Sequence, residues 1–322
     1  MLGKLFKSNS ATLIGIDIGS HAIKAIVLQH QSGTSTTIDT TPSHYQLKQL
    51  TTVSTPKGLL VDREITDIEG IAKAIGLVRQ RIPKSISQAA VAVSGASVIT
   101  KIIYMDAALS DEELESQIQI EADSLIPYPS HEISLDFESL GLNPTDETKV
   151  NVLISAARTE SIETRISALE QGGFKAKVVD VESFALARAA TLCLSQFPSE
   201  AHSQPIAIID VGATMMMTTI IENGETIYTR DQSIGGEQLT QALADTYQLS
   251  HDDAEMAKRQ SNIPNDDMFG TVENFRQALI QQVRRALQLF TSSTGREPIQ
   301  YLLLSGALVA FNKTETGNST GI

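Results

Sequence analysis

"LIGIDIGSHAIKAI", residues Leu13 to Ile26, decides how this chain is read. β-Forming residues cluster before Gly15 and after His21, which predicts two short strands. Between them stands a turn carrying Asp17, Gly19 and Ser20. By itself it is an ordinary polar turn, since Gly, Asp and Ser dominate turns everywhere.

A second stretch changes that reading. "PIAIIDVGATMMMTTIIENGETIYTR", Pro205 to Arg230, repeats the pattern. It reads strand, turn on Asp210, Gly212, Ala213 and Thr214, strand, Asn223-Gly224, strand. Asn-Gly is the strongest two-residue hairpin signal; the first stretch has Ser32-Gly33 in the matching place. Asp17 to Gly33 is 16 residues (33 − 17), and Asp210 to Gly224 is 14 (224 − 210). Each half of the chain thus opens with a β-meander whose first turn carries Asp-x-Gly and then a hydroxyl.

Phosphate chemistry accounts for such a pair. Glycine lets the backbone approach a ligand, and successive turn N–H groups form an anion-binding nest. Ser20 or Thr214 adds a hydroxyl donor. An aspartate repels a phosphate, but it holds a hydrated Mg²⁺ that bridges to one. Two such turns would grip a nucleoside triphosphate from both sides.

Composition sets the outer limits. The 322 residues suit two domains or one two-lobed fold, and 41% hydrophobic with 20% charged is ordinary for a soluble globular protein. A net charge of −13 and the lack of any Lys/Arg run argue against a nucleic-acid partner. Cys193, the only cysteine, excludes an internal disulfide and reads as a small buried hydrophobe. The first ten residues carry no apolar run of the secretory type, and no window approaches the ~20 apolar residues of a membrane span. Direct membrane insertion is therefore not expected.

Three further segments carry signals. In "SIGGEQLTQALADTYQLSHDDAEMAKR", Gly235-Gly236 opens a helix, Ser250 caps another, and Glu255 and Lys258 lie one turn apart. By spacing alone that pair is an i,i+3 surface ion pair. Residues 89–105 read as two strands broken at Ser94-Gly95. Ser110 and Glu113 then form a capping box ahead of a helix with Leu114, Ile118, Ala122 and Leu125 on one face. Pro127 ends that helix, and two alternating strands flank Asn143-Pro144.

The two turns, "GIDIGS" and "IIDVGAT", resemble the paired phosphate loops of the actin-like ATPase superfamily. "VVDVESFALARAA" is similar to its linking helix. Glu182 there matches the acidic residue that positions water and metal, although an acidic helix N-terminus explains it equally. "SDEEL…EADSLIPYPSHEISLDFESLG" and "ALEQGGFKAKVVDVESFALARA" resemble the PilM family of type IV pilus assembly proteins, in the FtsA-like branch. The resemblance covers roughly residues 11–307.

It implies an α/β actin-like ATPase fold (ribonuclease H-like, duplicated) with an FtsA/PilM-type 1C subdomain. Subdomain 1A is expected over 1–88 and 159–192, 1C over 89–158, 2A over 193–236 and 295–322, and 2B over 237–294. ATP and Mg²⁺ are the implied cofactors. The implied nucleotide contacts are Asp17, Gly19, Ser20, Lys24, Asp210, Gly212, Ala213, Thr214, Gly235, Gly236, Glu237, Glu255, Lys258, Ser305 and Gly306. Asp17 and Asp210 would reach the metal through water, and Glu182 is the catalytic candidate of an at most slow ATPase.

The family further implies a cytoplasmic scaffold, held at the inner membrane by a partner. A PilN-type N-terminal peptide is expected in the 1A/1C groove, with pilus motor ATPases and self-association as further partners. An FtsA-like division protein and a sugar-kinase-class enzyme are the alternatives. One departure stands out: "LSGALVAF" has Ala307 where the family has a second glycine, and a polar tail follows. This predicts an incomplete 2A and a disordered end.

Overall fold

The structure, a computed structural model, describes residues 12–30, 45–93 and 98–306. The expected Ser32-Gly33 turn, the break at Ser94-Gly95 and everything from Ala307 onward lie outside the described residues. The chain divides into two compact units, Met1–Glu182 and Ser183–Ile322.

The first unit opens with β1 (Leu13–Ile18), β2 (Ala22–His30) and β3 (Tyr45–Ser54), an antiparallel meander. Alternation makes it amphipathic. Ile14, Ile16, Ile23, Ala25 and Val27 face the core, while Asp17 and Lys24 face out. A two-residue hairpin follows, β4 (Leu60–Val61) and β5 (Glu64–Ile65), and then α1 (Ile68–Gln80). Asp67 caps α1 by accepting from the Gly70 N–H at 3.0 Å. Ile71, Ala74, Ile75 and Val78, at helical spacing, bury its inner face. Each fully buried Ile or Val there contributes about 2 kcal/mol of apolar burial.

β6 (Gln88–Val93) lies parallel to β1, and β10 (Lys175–Val181) lies parallel to β6. The sheet order is β10-β6-β1-β2-β3. A separate three-stranded sheet, β7-β9-β8, is built from β7 (Val98–Asp106), β8 (Ile133–Asn143) and β9 (Asp146–Arg158), with α2 (Asp111–Leu125) on one face. The expected 1C span began at Ala89, but β6 belongs to the five-stranded sheet, so the smaller module starts at β7. Pairing with two parallel neighbours, which sequence spacing does not reveal, decides this. The capping box forms as read: Glu113 accepts from the Ser110 N–H at 3.0 Å, and Ser110 Oγ accepts from the Glu113 N–H at 3.4 Å. Leu114 and Ile118 anchor α2 on the sheet, as expected. α3 (Thr159–Gln171) then packs on α1 before β10.

The second unit repeats the plan. α4 (Glu182–Thr191) leads into β11 (Ile206–Val211), β12 (Met216–Glu222) and β13 (Glu225–Gln232), again an antiparallel meander. Asn223 and Gly224 both take positive φ, 53° and 83°, as a type I′ hairpin turn requires. α5 (Gly236–Tyr247), α6 (His251–Arg259) and α7 (Thr271–Thr294) precede β14 (Tyr301–Ser305), which lies parallel to β11. The order β13-β12-β11-β14 matches β3-β2-β1-β6 strand for strand.

β11 is buried on both faces, so its sequence is a run of apolar residues rather than an alternation. Ile206 and Ile208 pack with Ala187 and Ala190 of α4, whereas Ala207, Ile209 and Val211 pack with Phe290 of α7. Burial of those two alanines places the body of α4 in the second unit, and the chain divides after Glu182.

Candidate functional site: two Asp-x-Gly turns

The first turn is closed by its own backbone. The Gly19 N–H donates to the Ala22 carbonyl at 3.2 Å, and a Cβ on Gly19 would meet that oxygen at 2.9 Å. Asp17 and Lys24 are cross-strand partners, and Lys24 Nζ donates to Asp17 Oδ2 at 2.8 Å, with both side chains half exposed. Ser20 begins the return toward β2. Thr55, just past β3, clamps the turn from outside. Its Oγ donates to the Gly19 carbonyl at 2.7 Å, and its N–H donates to the His21 carbonyl at 3.0 Å.

The second turn closes in the same way, with the Gly212 N–H donating to the Met215 carbonyl at 2.9 Å. Here the clamp is a helix end. The Gly236 N–H donates to the Gly212 carbonyl at 3.0 Å and the Glu237 N–H to the Ala213 carbonyl at 2.7 Å. Two of the N–H groups that a helix start leaves without an intrahelical partner are thereby satisfied. Thr214 stands exposed at the tip. So close an approach requires glycine: a Cβ on Gly235 would lie 2.4 Å from the Ala213 oxygen. From the other side comes β14, with Ser305 beside Asp210 in register. Gly306 has φ +101°, and a Cβ there would lie 2.2 Å from the Val211 oxygen.

Asp210, Gly212, Ala213, Thr214, Gly235, Gly236, Ser305 and Gly306 therefore belong to one loop cluster of the second unit. Asp17, Gly19, Ser20 and Lys24 form the corresponding cluster of the first.

Glu255 and Lys258 form an i,i+3 ion pair, but a buried one. Lys258 Nζ lies 2.5 Å from Glu255 Oε2 and also donates to Thr240 Oγ at 2.6 Å and to the Gly236 carbonyl at 3.0 Å. Thr240 in turn donates to Glu255 at 2.7 Å. The three ammonium protons are thus matched by three acceptors, and α6 is fastened to the first turn of α5. Glu237 pairs with His251 at the start of α6.

Glu182 is gripped by Arg63 at 2.9 Å. Arg63 sits in the β4–β5 turn with φ +67°, next to Asp62 at +50°. Arg165, buried on α3, holds that turn by donating to the Arg63 carbonyl at 2.7 Å and to Glu64 at 3.2 Å. Sequence reading missed Thr55, Arg63, Arg165, Thr240 and His251. Only Thr55 carried a signal: it follows the third strand of the meander, as Gly235 and Gly236 follow theirs.

Among the described residues, no group of three or more His, Cys, Asp or Glu is arranged to hold a metal ion. No helix among them is long and apolar enough to cross a membrane.

Two meanders in one strand order, each with an Asp-x-Gly turn beside a parallel strand, define the α/β actin-like ATPase fold. Comparison with known proteins narrows this. The model of the type IV pilus assembly protein PilM family matches residues 15–315. The chain belongs to that family. It is also similar to the solved PilM–PilN type IV pilus biogenesis complex, at 24% identity and TM-score 0.73, over 94% of this chain and 83% of that one. The ethanolamine utilization protein EutJ from Carboxydothermus hydrogenoformans matches at 14% identity and TM-score 0.49, over 93% and 79%.

Proposed function

We propose that this chain is an ATP-binding scaffold of type IV pilus assembly that docks the N-terminus of a PilN-type protein. The observation that carries the nucleotide reading is the cradle of the second turn. Gly235 and Gly306 stand where any Cβ would collide with backbone, and Asp210 and Ser305 share its rim. Such packing fixes the turn, and the carboxylate and hydroxyls at its edge suit a hydrated cation and phosphate oxygens. ATP would supply the phosphates. Asp17 and Asp210 would hold Mg²⁺ through water, Ser20 and Thr214 would donate to phosphate, and Gly19, Gly212 and Ala213 would admit it. Lys24 keeps Asp17 paired and adds positive charge at the first turn. Gly236, Glu237, Glu255 and Lys258 shape the α5–α6 wall, tied together through Thr240 and His251.

The reading favours binding over turnover, because the carboxylate of Glu182 is committed to Arg63. The PilN-type partner rests on family membership and on the similarity to a structure of PilM with PilN. Docking such a peptide in a 1A/1C groove, association with pilus motor ATPases and a peripheral place at the inner membrane follow from the same reading.

Calorimetric titration with Mg·ATP, with and without a PilN-type N-terminal peptide, tests it. Binding that falls more than about tenfold in Asp17→Ala and Asp210→Ala, and on removal of Mg²⁺, is expected. Equal affinity with and without Mg²⁺ would remove the metal role, and no heat with the peptide would remove the partner.

A further inference from the structure

Charge is distributed unevenly along this chain. Residues 98–158, the three-stranded sheet with α2, hold 12 Asp and Glu against 3 Lys and Arg, a net −9 of the total −13. α2 covers one face of that sheet through Leu114 and Ile118, against Met105, Val152 and Ile154. On the other face, α3 meets only the end at Ser134, whose hydroxyl lies 3.1 Å from that of Thr159, while Ile102 and Tyr104 stand exposed.

Register identifies that face. Thr100, Ser155 and Asp136 stand in one row across β7, β9 and β8, and Ile102, Leu153 and Glu138 stand in the next. Tyr104 opposes Asn151 one row further on. Ile102 is 51% exposed and Tyr104 63%. An apolar stripe on β7 thus runs beside Leu153, with two carboxylates on β8. β7 is also an edge strand rich in β-formers, a form that proteins usually cover or charge.

We propose that this face docks a basic amphipathic helix of a partner protein. Geometry and charge select that occupant together. Adjacent strands lie about 4.8 Å apart, so the apolar and acidic strips are about 10 Å apart, the width of one helix. A helix laid across would set apolar residues on Ile102, Tyr104 and Leu153 and Lys or Arg on Asp136 and Glu138. A strand added at β7 would leave those carboxylates three strand spacings away. A second copy would bring another acidic module, and like charges disfavour it. The segments of this chain outside the described residues hold three basic residues, Lys4, Lys7 and Lys313, too few for a basic helix face.

The test titrates the full chain with a labelled amphipathic helical peptide of Leu and Lys, and with its Leu and Glu counterpart, by fluorescence anisotropy. The Lys peptide is expected to bind and the Glu peptide not. Ile102→Thr with Tyr104→Thr keeps β-forming residues and charge, and is expected to weaken binding at least about tenfold. Asp136→Asn with Glu138→Gln is expected to weaken it less and to flatten its salt dependence. Circular dichroism checks that both variants are folded. The proposal is overturned if the unaltered chain ignores the Lys peptide, or if the Thr variant binds it equally, since general acidity would then suffice. It is also overturned if the Thr variant loses a PilN-type peptide, which would merge this face with the proposed groove. Dissociation of a dimer by that variant would assign the face to a second copy instead.

Discussion

The two Asp-x-Gly turns are local copies held by different means. Both close with a glycine N–H on the carbonyl three residues later, Gly19 to Ala22 and Gly212 to Met215. Both place the aspartate opposite the residue seven positions on, but that residue is Lys24 in the first and Met217 in the second. The carbonyl of the glycine is clamped in both, by the Thr55 hydroxyl in the first and by the Gly236 N–H of α5 in the second. A side-chain clamp yields when one atom is changed. A clamp made of backbone tolerates no change of volume, and the second turn is accordingly the one enclosed by glycines. Similar local sequence thus gives one turn whose charge is countered and one whose shape is constrained.

The largest effect should come from breaking the shape of the second turn. Gly306→Ala forces both a left-handed φ and a Cβ 2.2 Å from the Val211 oxygen. Urea unfolding should show a loss of about 4 kcal/mol. Gly19→Ala, whose Cβ would meet one oxygen at 2.9 Å, should cost about half as much. Equal losses would mean that both turns relax alike.

Next comes the buried pair behind the helix clamp. Glu255→Ala leaves the Lys258 ammonium buried with two neutral acceptors, and should destabilise by about 3 kcal/mol. Replacing both by Leu and Met should recover most of that loss. If Glu255→Ala is silent in thermal unfolding, α6 does not fasten α5 and the clamp on the second turn is self-sufficient.

Thr55→Val removes the hydroxyl that holds the Gly19 carbonyl and preserves the shape of the side chain. A cost of about 1 kcal/mol is expected. Hydrogen exchange should quicken in the first turn and stay unchanged in the second. Quickening in both would show that the two clamps are coupled.

The smallest effect is a pH control away from both turns. The N–H and hydroxyl of Ser110 hold the Glu113 carboxyl below its usual range. A lowered folded-state pKa gives stability that is present at neutral pH and lost as pH falls through that lowered value. Circular dichroism of Glu113→Gln should therefore match the unaltered chain at low pH and show slightly less helix at neutral pH. A difference at low pH and none at neutral pH would reverse the sign and discard the capping-box role.

Local order was legible in the residues. The paired turns, the Asn223-Gly224 hairpin, the Ser110 and Ser250 caps and the helix start at Gly235-Gly236 are each written within a few neighbours, because turn and cap energetics act over that range. "SGA" even stands at the end of both equivalent strands, as Ser94-Gly95-Ala96 and Ser305-Gly306-Ala307. Tertiary structure alone decided the rest. It assigned β6 to the five-stranded sheet rather than to the smaller module. It turned Glu255 and Lys258 from an exposed pair into a buried fastening, and brought Thr55 to Gly19, Arg63 to Glu182 and Gly306 to Val211. Those contacts join residues tens to more than a hundred positions apart. Their energies depend on burial and on which backbone comes within 3 Å, and neither is a property of any stretch of sequence.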